Sequence, residues 1–176
     1  RLLTPVLVDI QLPAASVKFD QGTITTLSSS LTGTSITLVP GSQIQGGFSV
    51  TTTIWNQGTA PQFQVPATLP YQNLTVQGTS LFLPPGAFNV PGNFMGMLPN
   101  ANSLHVRDTL GTVTDLTVGG DLQMFAGILA VDGGKVTVGR DLLLTTTNTN
   151  RGRLGMQNPA DQVFVTRDAL FDGANQ

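Results

Sequence analysis

Apolar and polar residues alternate in short stretches along this chain, which is the pattern of half-buried β-strands. In the first stretch, Val8, Ile10 and Leu12 would lie on one face of a strand, with Asp9 and Gln11 on the other. Further short strands are predicted at residues 17–19, 24–27, 36–39, 48–50 and 51–55. Good helix formers are scarce, whereas Thr and Val are plentiful, and both suit a pleated surface. The pattern predicts an all-β protein.

Four segments in the second half share one pattern: apolar, any residue, Val, any residue, Gly or Arg, Asn or Asp, apolar. An apolar-x-Val stretch places two side chains on one face of a strand, and Gly, Asn and Asp suit the corner that follows. The corner residues Asn93, Asp121, Asp141 and Asp168 are separated by 28, 20 and 27 residues. The four segments are Phe88–Phe94, Leu116–Leu122, Val136–Leu142 and Val163–Ala169.

Intervals of this length hold three short strands and three turns, as one coil of a parallel β-solenoid does. Unequal intervals are compatible with such a fold, because insertions are placed in loops. Two further segments match more loosely, namely Leu74–Leu81 and Leu104–Leu110, the second with Asp108 as its corner. The strand after each corner begins with a second apolar alternation.

The segment Tyr71–Gly78 and the units that follow it resemble the repeats of large bacterial surface and secreted proteins, of the adhesin-like and autotransporter-passenger-like families. The resemblance covers about residues 71–176. It implies a right-handed parallel β-solenoid and specifies fold better than function. The chain departs from the pattern in its irregular period and in Arg140 and Arg167, which stand where a second Gly is expected.

Residues 1–70 are predicted to be an N-terminal β region, and residues 71–176 the solenoid repeat region. The first region is interpreted as early coils of the same stack or as a cap. The alternative is a β-sandwich of pilin type, in which the strand Leu2–Leu12 is donated to a neighbouring subunit. Pro40-Gly41 and Gly46-Gly47 are predicted turns, and residues 57–70, with three prolines, a long loop.

The composition narrows the possible partners. Charged residues make up 10% of the chain and the net charge is −2, so the clustered basic residues that bind nucleic acid are missing. No apolar run reaches 18 residues, so membrane insertion is not expected. There is no Cys, and Thr, Ser, Asn and Gln replace the usual charged surface. We expect an extracellular or cell-surface location.

Asp121, Asp141 and Asp168 recur at one turn position and could form an acidic column. Carboxylates suit Ca²⁺, which makes the three residues weak metal candidates, and paired carboxylates are used by glycoside hydrolases. The preferred interpretation is a structural turn, because Asn93 takes the same place without charge. His105 is the only His and falls at the outward position of a strand, where a surface His is the preferred interpretation. No catalytic residue and no cofactor is predicted.

The function predicted from these features is that of a structural or adhesive extracellular β-solenoid, either a segment of a surface stalk or a subunit that stacks end to end into a filament. The repeat array stops just after the corner at Asp168, and an open coil exposes unpaired strand edges. The expected partner is the chain itself, and carbohydrate or a host surface is a further candidate. The alternatives are a carbohydrate-active enzyme on a β-helix and a donor-strand pilin-like fibre subunit.

Overall fold

The computed structural model describes residues 16–19, 22–58, 62–99, 101–147 and 150–172. This part of the chain contains strands and turns but no helix, which confirms the all-β class. The strands are β1 (Ser16–Phe19), β2 (Gly22–Leu38), β3 (Ser42–Asn56), β4 (Phe63–Gln64), β5 (Asn73–Gln77), β6 (Leu81–Phe82), β7 (Gly86–Val90), β8 (Phe94–Met97), β9 (Ser103–His105), β10 (Thr114–Val118), β11 (Leu122–Ala130), β12 (Lys135–Val138), β13 (Leu142–Leu144), β14 (Thr146–Thr147), β15 (Asn150–Gly155), β16 (Gln162–Val165) and β17 (Ala169–Phe171).

Apart from β14, which pairs antiparallel with β15, the strands pair in three parallel ladders. The first ladder runs through β1, β2, β3, β5, β8, the start of β11, β13 and β17. The second runs through β4, β6, β9, the end of β11 and β15, and the third through β7, β10, β12 and β16. Because β11 belongs to both the first and the second ladder, these two form one curled sheet.

From β5 onward, the chain visits the first, second and third ladders in that order and then returns to the first, next to the strand it left. We call each such passage a cycle. The aligned first-ladder positions 74, 94, 122, 142 and 169 give cycle lengths of 20, 28, 20 and 27 residues. The four repeat segments align in the third ladder, where Phe88, Leu116, Val136 and Val163 are register partners.

The two looser matches are not copies of the repeat. Leu74 lies in the first ladder and Leu104 in the second, whereas the true copies start in the third. Asp108 lies in the loop between β9 and β10, where its Oδ1 accepts hydrogen bonds from the backbone N–H groups of Leu110 and Thr112 at 2.9 and 2.7 Å. It caps that loop and marks no cycle.

The turn predicted at Gly46-Gly47 is wrong, because both residues lie inside β3. The register between β2 and β3 shifts opposite these glycines, between Thr25 and Ser30. Glycine in a strand often marks such an irregularity, so the pair indicates a local distortion of the ladder. The turn predicted at Pro40-Gly41 is confirmed, and Gly41 has a φ of 88°.

The first ladder continues without a break across residue 70. Strand β3 pairs in parallel with β5, and β4 pairs in parallel with β6. A pilin-type sandwich would have antiparallel sheets instead, so the described part of residues 16–70 does not fit that alternative. The strand predicted at residues 7–12 and the donated segment Leu2–Leu12 lie outside the described residues.

One hydrophobic core runs along the inside of the ladders, from Ile36 to Leu144. Register partners face inward together, so each apolar side chain stacks on its counterpart in the neighbouring cycle. Trp55 lies in this core and is 1% exposed. Its ring lies 5.0 Å from that of Phe63, and its Nε1–H donates to the hydroxyl of Tyr71 at 3.1 Å.

Candidate functional site

The turn between the third and first ladders has the same length in every complete cycle. It has three residues in each case, whereas the other two connections vary in length. The strand that precedes it ends in Val, at Val90, Val118, Val138 and Val165. We call this turn the constant corner, and it consists of residues 91–93, 119–121, 139–141 and 166–168.

The third residue of each constant corner is hydrogen-bonded to a neighbouring cycle. The Oδ1 atom of Asn73, which opens β5 at the equivalent register, accepts from Asn93 N–H at 2.8 Å. Asn93 Oδ1 in turn accepts from Asp121 N–H at 2.9 Å. The column continues from Asp121 to Asp141 N–H at 3.2 Å and from Asp141 to Asp168 N–H at 3.3 Å. The residues predicted to share one turn position therefore lie in one bonded column.

The middle residue of the corner forms a second column through the main chain. Gly120 N–H donates to Gly92 O at 2.8 Å, and Arg140 N–H donates to Gly120 O at 3.1 Å. Arg167 N–H donates to Arg140 O at 3.1 Å. Side-chain and main-chain columns together satisfy polar groups that a tight corner would otherwise leave without partners.

Glycine at the middle position is required where Asn lies in the cycle before it. A Cβ atom at Gly92 would stand 2.1 Å from Asn73 Oδ1, and one at Gly120 would stand 2.2 Å from Asn93 Oδ1. Both distances are far below any tolerable contact. The amide oxygen of each Asn thus occupies the space of the side chain that glycine lacks.

Arginine at the middle position forms an ion pair with the Asp of the cycle before it. Arg140 Nε lies 3.4 Å from Asp121 Oδ1. Arg167 binds Asp141 through two atoms, its Nε donating to Oδ1 at 2.9 Å and a terminal nitrogen donating to Oδ2. The hydrogen bonds from Arg167 lower the pKa of the Asp141 carboxyl below its usual 3.8. This carboxylate therefore remains paired until the pH falls below that value.

The three Asp residues are not grouped as ligands of one ion. No group of three or more potential metal ligands occurs within the described ranges of the chain. The carboxylates of Asp121 and Asp141 are used by backbone N–H groups and arginine. Arginine side chains pair with two of the three carboxylates in this column.

His105 belongs to a second polar cluster that the sequence pattern does not reveal. Its Nδ1 lies 2.6 Å from Asp132 Oδ2, and Arg107 Nε donates to the same oxygen at 3.2 Å. The imidazole stacks on Phe82 with ring centroids 4.5 Å apart and an angle of 11°. Asp132 reaches the pair from a turn with a φ of 53°, a conformation in which Asp is tolerated. The only sign of this cluster in the sequence is the pair at residues 132–133, Asp-Gly, which is typical of a turn.

The cluster ties neighbouring cycles together and lacks a nucleophile. His105 is half-buried and faces outward from β9, between the buried Leu104 and Val106. Within the described chain, no hydroxyl group hydrogen-bonds to its ring, so a Ser-His-Asp arrangement is not formed. Arg107 also lies over the face of Phe82, 5.4 Å from the ring centroid.

The last described cycle presents an open edge. We use the term open edge for β16 and β17 with the corner at residues 166–168. Strands β16 and β17 each have one neighbour among the described strands. Phe171 is the register partner of the buried Leu144 and faces the core, yet it is 59% exposed. Leu170 and Phe164 are also exposed at this edge.

Comparison with known proteins identifies no relative. No protein-family model matches the chain, and neither the curated proteins nor the solved structures contain a match. Among the described residues, no helix has the length and apolar character needed to cross a membrane.

Proposed function

We propose that this chain is a structural, adhesive segment of an extracellular, right-handed parallel β-solenoid that joins a further β-coil at its open edge. Each cycle is then one coil. Three observations support the solenoid: the fixed order of ladders, the parallel register and the single continuous core. The resemblance of residues 71–176 to bacterial surface-protein repeats supports the extracellular role.

The observation that carries the joining function is the exposed apolar edge. Phe171 faces the core side of its ladder, and no described residue covers it. The outer N–H and C=O groups of β16 and β17 lie on the same edge. Unpaired strand edges of this kind add a strand from another chain or segment. In a stalk the added coil belongs to the next segment, and in a filament to another copy.

A sedimentation and electron-microscopy comparison tests the joining surface. The wild-type chain is expected to form end-to-end assemblies as its concentration rises, and Phe171→Asp is expected to prevent them by placing a charge on the open edge. Leu110→Asp is the matched control, because Leu110 is 90% exposed but lies on a loop remote from that edge in sequence and ladder position.

Two outcomes would count against the proposal. Wild-type protein that remains monomeric at high concentration would contradict the filament form. Equal assembly by the Phe171→Asp variant and the wild type would contradict the open edge as the joining surface.

The contacts give no support to the carbohydrate-active enzyme. That alternative requires carboxylates free to act on a sugar, whereas Asp121 and Asp141 are each bound by an arginine and a backbone N–H. If the wild-type chain acted on a polysaccharide and Asp121→Ala removed that activity, the enzyme alternative would be supported again.

A further inference from the structure

The residue pairs at the constant corner follow a rule of charge. Asn73 lies next to Gly92, and Asn93 next to Gly120. Where the acceptor is Asp, the middle residue of the next cycle is arginine instead. These pairs are Asp121 with Arg140 and Asp141 with Arg167.

The distances at the corner explain why Asn is paired with glycine and Asp with arginine. With Asn, the side-chain oxygen lies close above the corner, at 2.8 and 2.9 Å from the next N–H, and leaves no room for a Cβ atom. With Asp, the corresponding distances lengthen to 3.2 and 3.3 Å, because the carboxylate also binds the guanidinium. Arginine at the middle position thus accompanies the longer distance, and its guanidinium supplies the charge that pairs with Asp.

The last described corner follows the Asp form of this rule, and no further cycle follows it among the described residues. In each earlier corner the acceptors are the preceding valine carbonyl, the middle-residue carbonyl and the Asn or Asp side chain. The equivalent groups here are Val165 O, Arg167 O and the Asp168 carboxylate. No residue in the described part of the chain donates a hydrogen bond to them.

We propose that the open edge selects a β-coil that carries arginine at the middle position of its constant corner. This inference rests on the proposed joining function and specifies its partner. The incoming coil provides three backbone N–H groups for the three acceptors and a guanidinium for Asp168. Its strands flank that corner as apolar-x-apolar stretches, which cover Val163, Val165 and Phe171.

A second copy stacked in register does not have this chemistry. Ser16 is the register partner of Ser35, and this column leads through Thr52 to Asn73. The strands at the start of a second copy cannot supply a guanidinium, because residues 2–106 contain no arginine. The edge thus favours a coil that differs from the strands at the start of this chain.

Binding of peptides to the full chain tests the selection. The probe is a fluorescent peptide with the sequence of residues 162–171 and an uncharged polyethylene glycol tail for solubility. Three versions have arginine, its neutral analogue citrulline or glycine at the place of Arg167. Fluorescence anisotropy at low salt gives the affinity of each version for the wild type, Asp168→Asn and Asp172→Asn.

We expect the wild type to bind the arginine peptide about two- to fivefold more tightly than the citrulline peptide, the range for an exposed ion pair. The preference should disappear in Asp168→Asn and decrease with added salt. Asp172→Asn removes one charge nearby on an exposed residue and should retain the preference.

The possible failures are distinguishable. Equal binding of all three peptides by the wild type would overturn the arginine rule while leaving the edge as a joining surface. Absence of binding by any peptide would overturn both proposals. Self-association of the chain that an excess of the arginine peptide does not displace would assign the edge to a second copy and overturn the selection.

Discussion

At the scale of single residues, the buried polar groups of the core show how much one hydrogen bond matters here. Tyr71 is buried, accepts a hydrogen bond from Trp55 and donates its own proton to Pro66 O at 2.8 Å. Burial raises the pKa of this phenol well above its ordinary value of 10.0, and the bond from Trp55 lowers it by less. The neutral phenol is therefore the form that stabilises the fold.

Tyr71 should resist ionisation until the protein unfolds. Because its folded-state pKa is raised, its contribution to stability is complete below pH 10 and is lost as the pH rises towards the folded-state value. It is the only Tyr, so phenolate absorbance reports it directly. We expect that absorbance to appear together with the loss of β circular dichroism. Phenolate formation at pH 10 in a fully folded chain would contradict the burial.

Thr53 offers a stabilising substitution. Its side chain is 0% exposed and stacks between Ile36 and Leu74, and its hydroxyl has no hydrogen-bond partner among the described residues. Thr53→Val keeps the shape and removes the buried hydroxyl, so we expect the free energy of unfolding to rise by about 1 kcal/mol.

Thr114→Val is the matched control, and unfolding in urea gives the free energy of unfolding of both variants. Thr114 is equally buried, but its hydroxyl donates to Pro84 O at 2.7 Å. Thr114→Val should lower the free energy of unfolding by about 1–3 kcal/mol, because it leaves a buried carbonyl without its donor. Similar effects of the two substitutions would show that the hydroxyl of Thr53 is satisfied.

At the scale of elements, the constant corner depends on glycine where Asn precedes it. Gly120→Ala should lower the free energy of unfolding by about 1–3 kcal/mol, because the new Cβ displaces Asn93 Oδ1 from its bond to Asp121 N–H. Gly155→Ala is the control, since its Cβ would lie 3.1 Å from the Cγ2 methyl of Ile128 and no closer than 3.7 Å to any backbone atom outside its chain neighbours. Chemical denaturation compares the two.

The combined replacement Asn93→Asp with Gly120→Arg converts this corner to its charged form. It should recover most of the stability that Gly120→Arg loses alone. A double replacement no more stable than the single one would contradict the pairing of Asp with arginine.

Sequence reasoning predicted these elements unevenly, for physical reasons. The four aligned repeats were recognisable because strand alternation and corner chemistry are local properties. Leu74 and Leu104 show the limit: the same apolar-x-apolar pattern serves every ladder, so the ladder to which a strand belongs cannot be determined from it. The His105–Asp132 contact joins residues 27 positions apart and depends on register, which local patterns do not contain.

At the scale of the whole molecule, the direction of the strands distinguishes two modes of assembly. Coils that stack end to end place their strands across the long axis of the filament, with neighbours about 4.8 Å apart along it. Oriented fibres should therefore give a meridional X-ray reflection near 4.8 Å. Fibres without it would favour another mode, such as donation of the segment Leu2–Leu12.

The constant corner also has an evolutionary consequence. The connection between the second and third ladders changes from residues 83–85 to 106–113 to 131–134, while the constant corner retains three residues. Because both ends of a unit cut at that corner meet the same register, whole units can be duplicated, lost or exchanged by recombination without shifting their neighbours. Lengthening of the other connections can proceed independently in each unit. The number of units and the length of the outer loops can thus change while the constant corner stays the same.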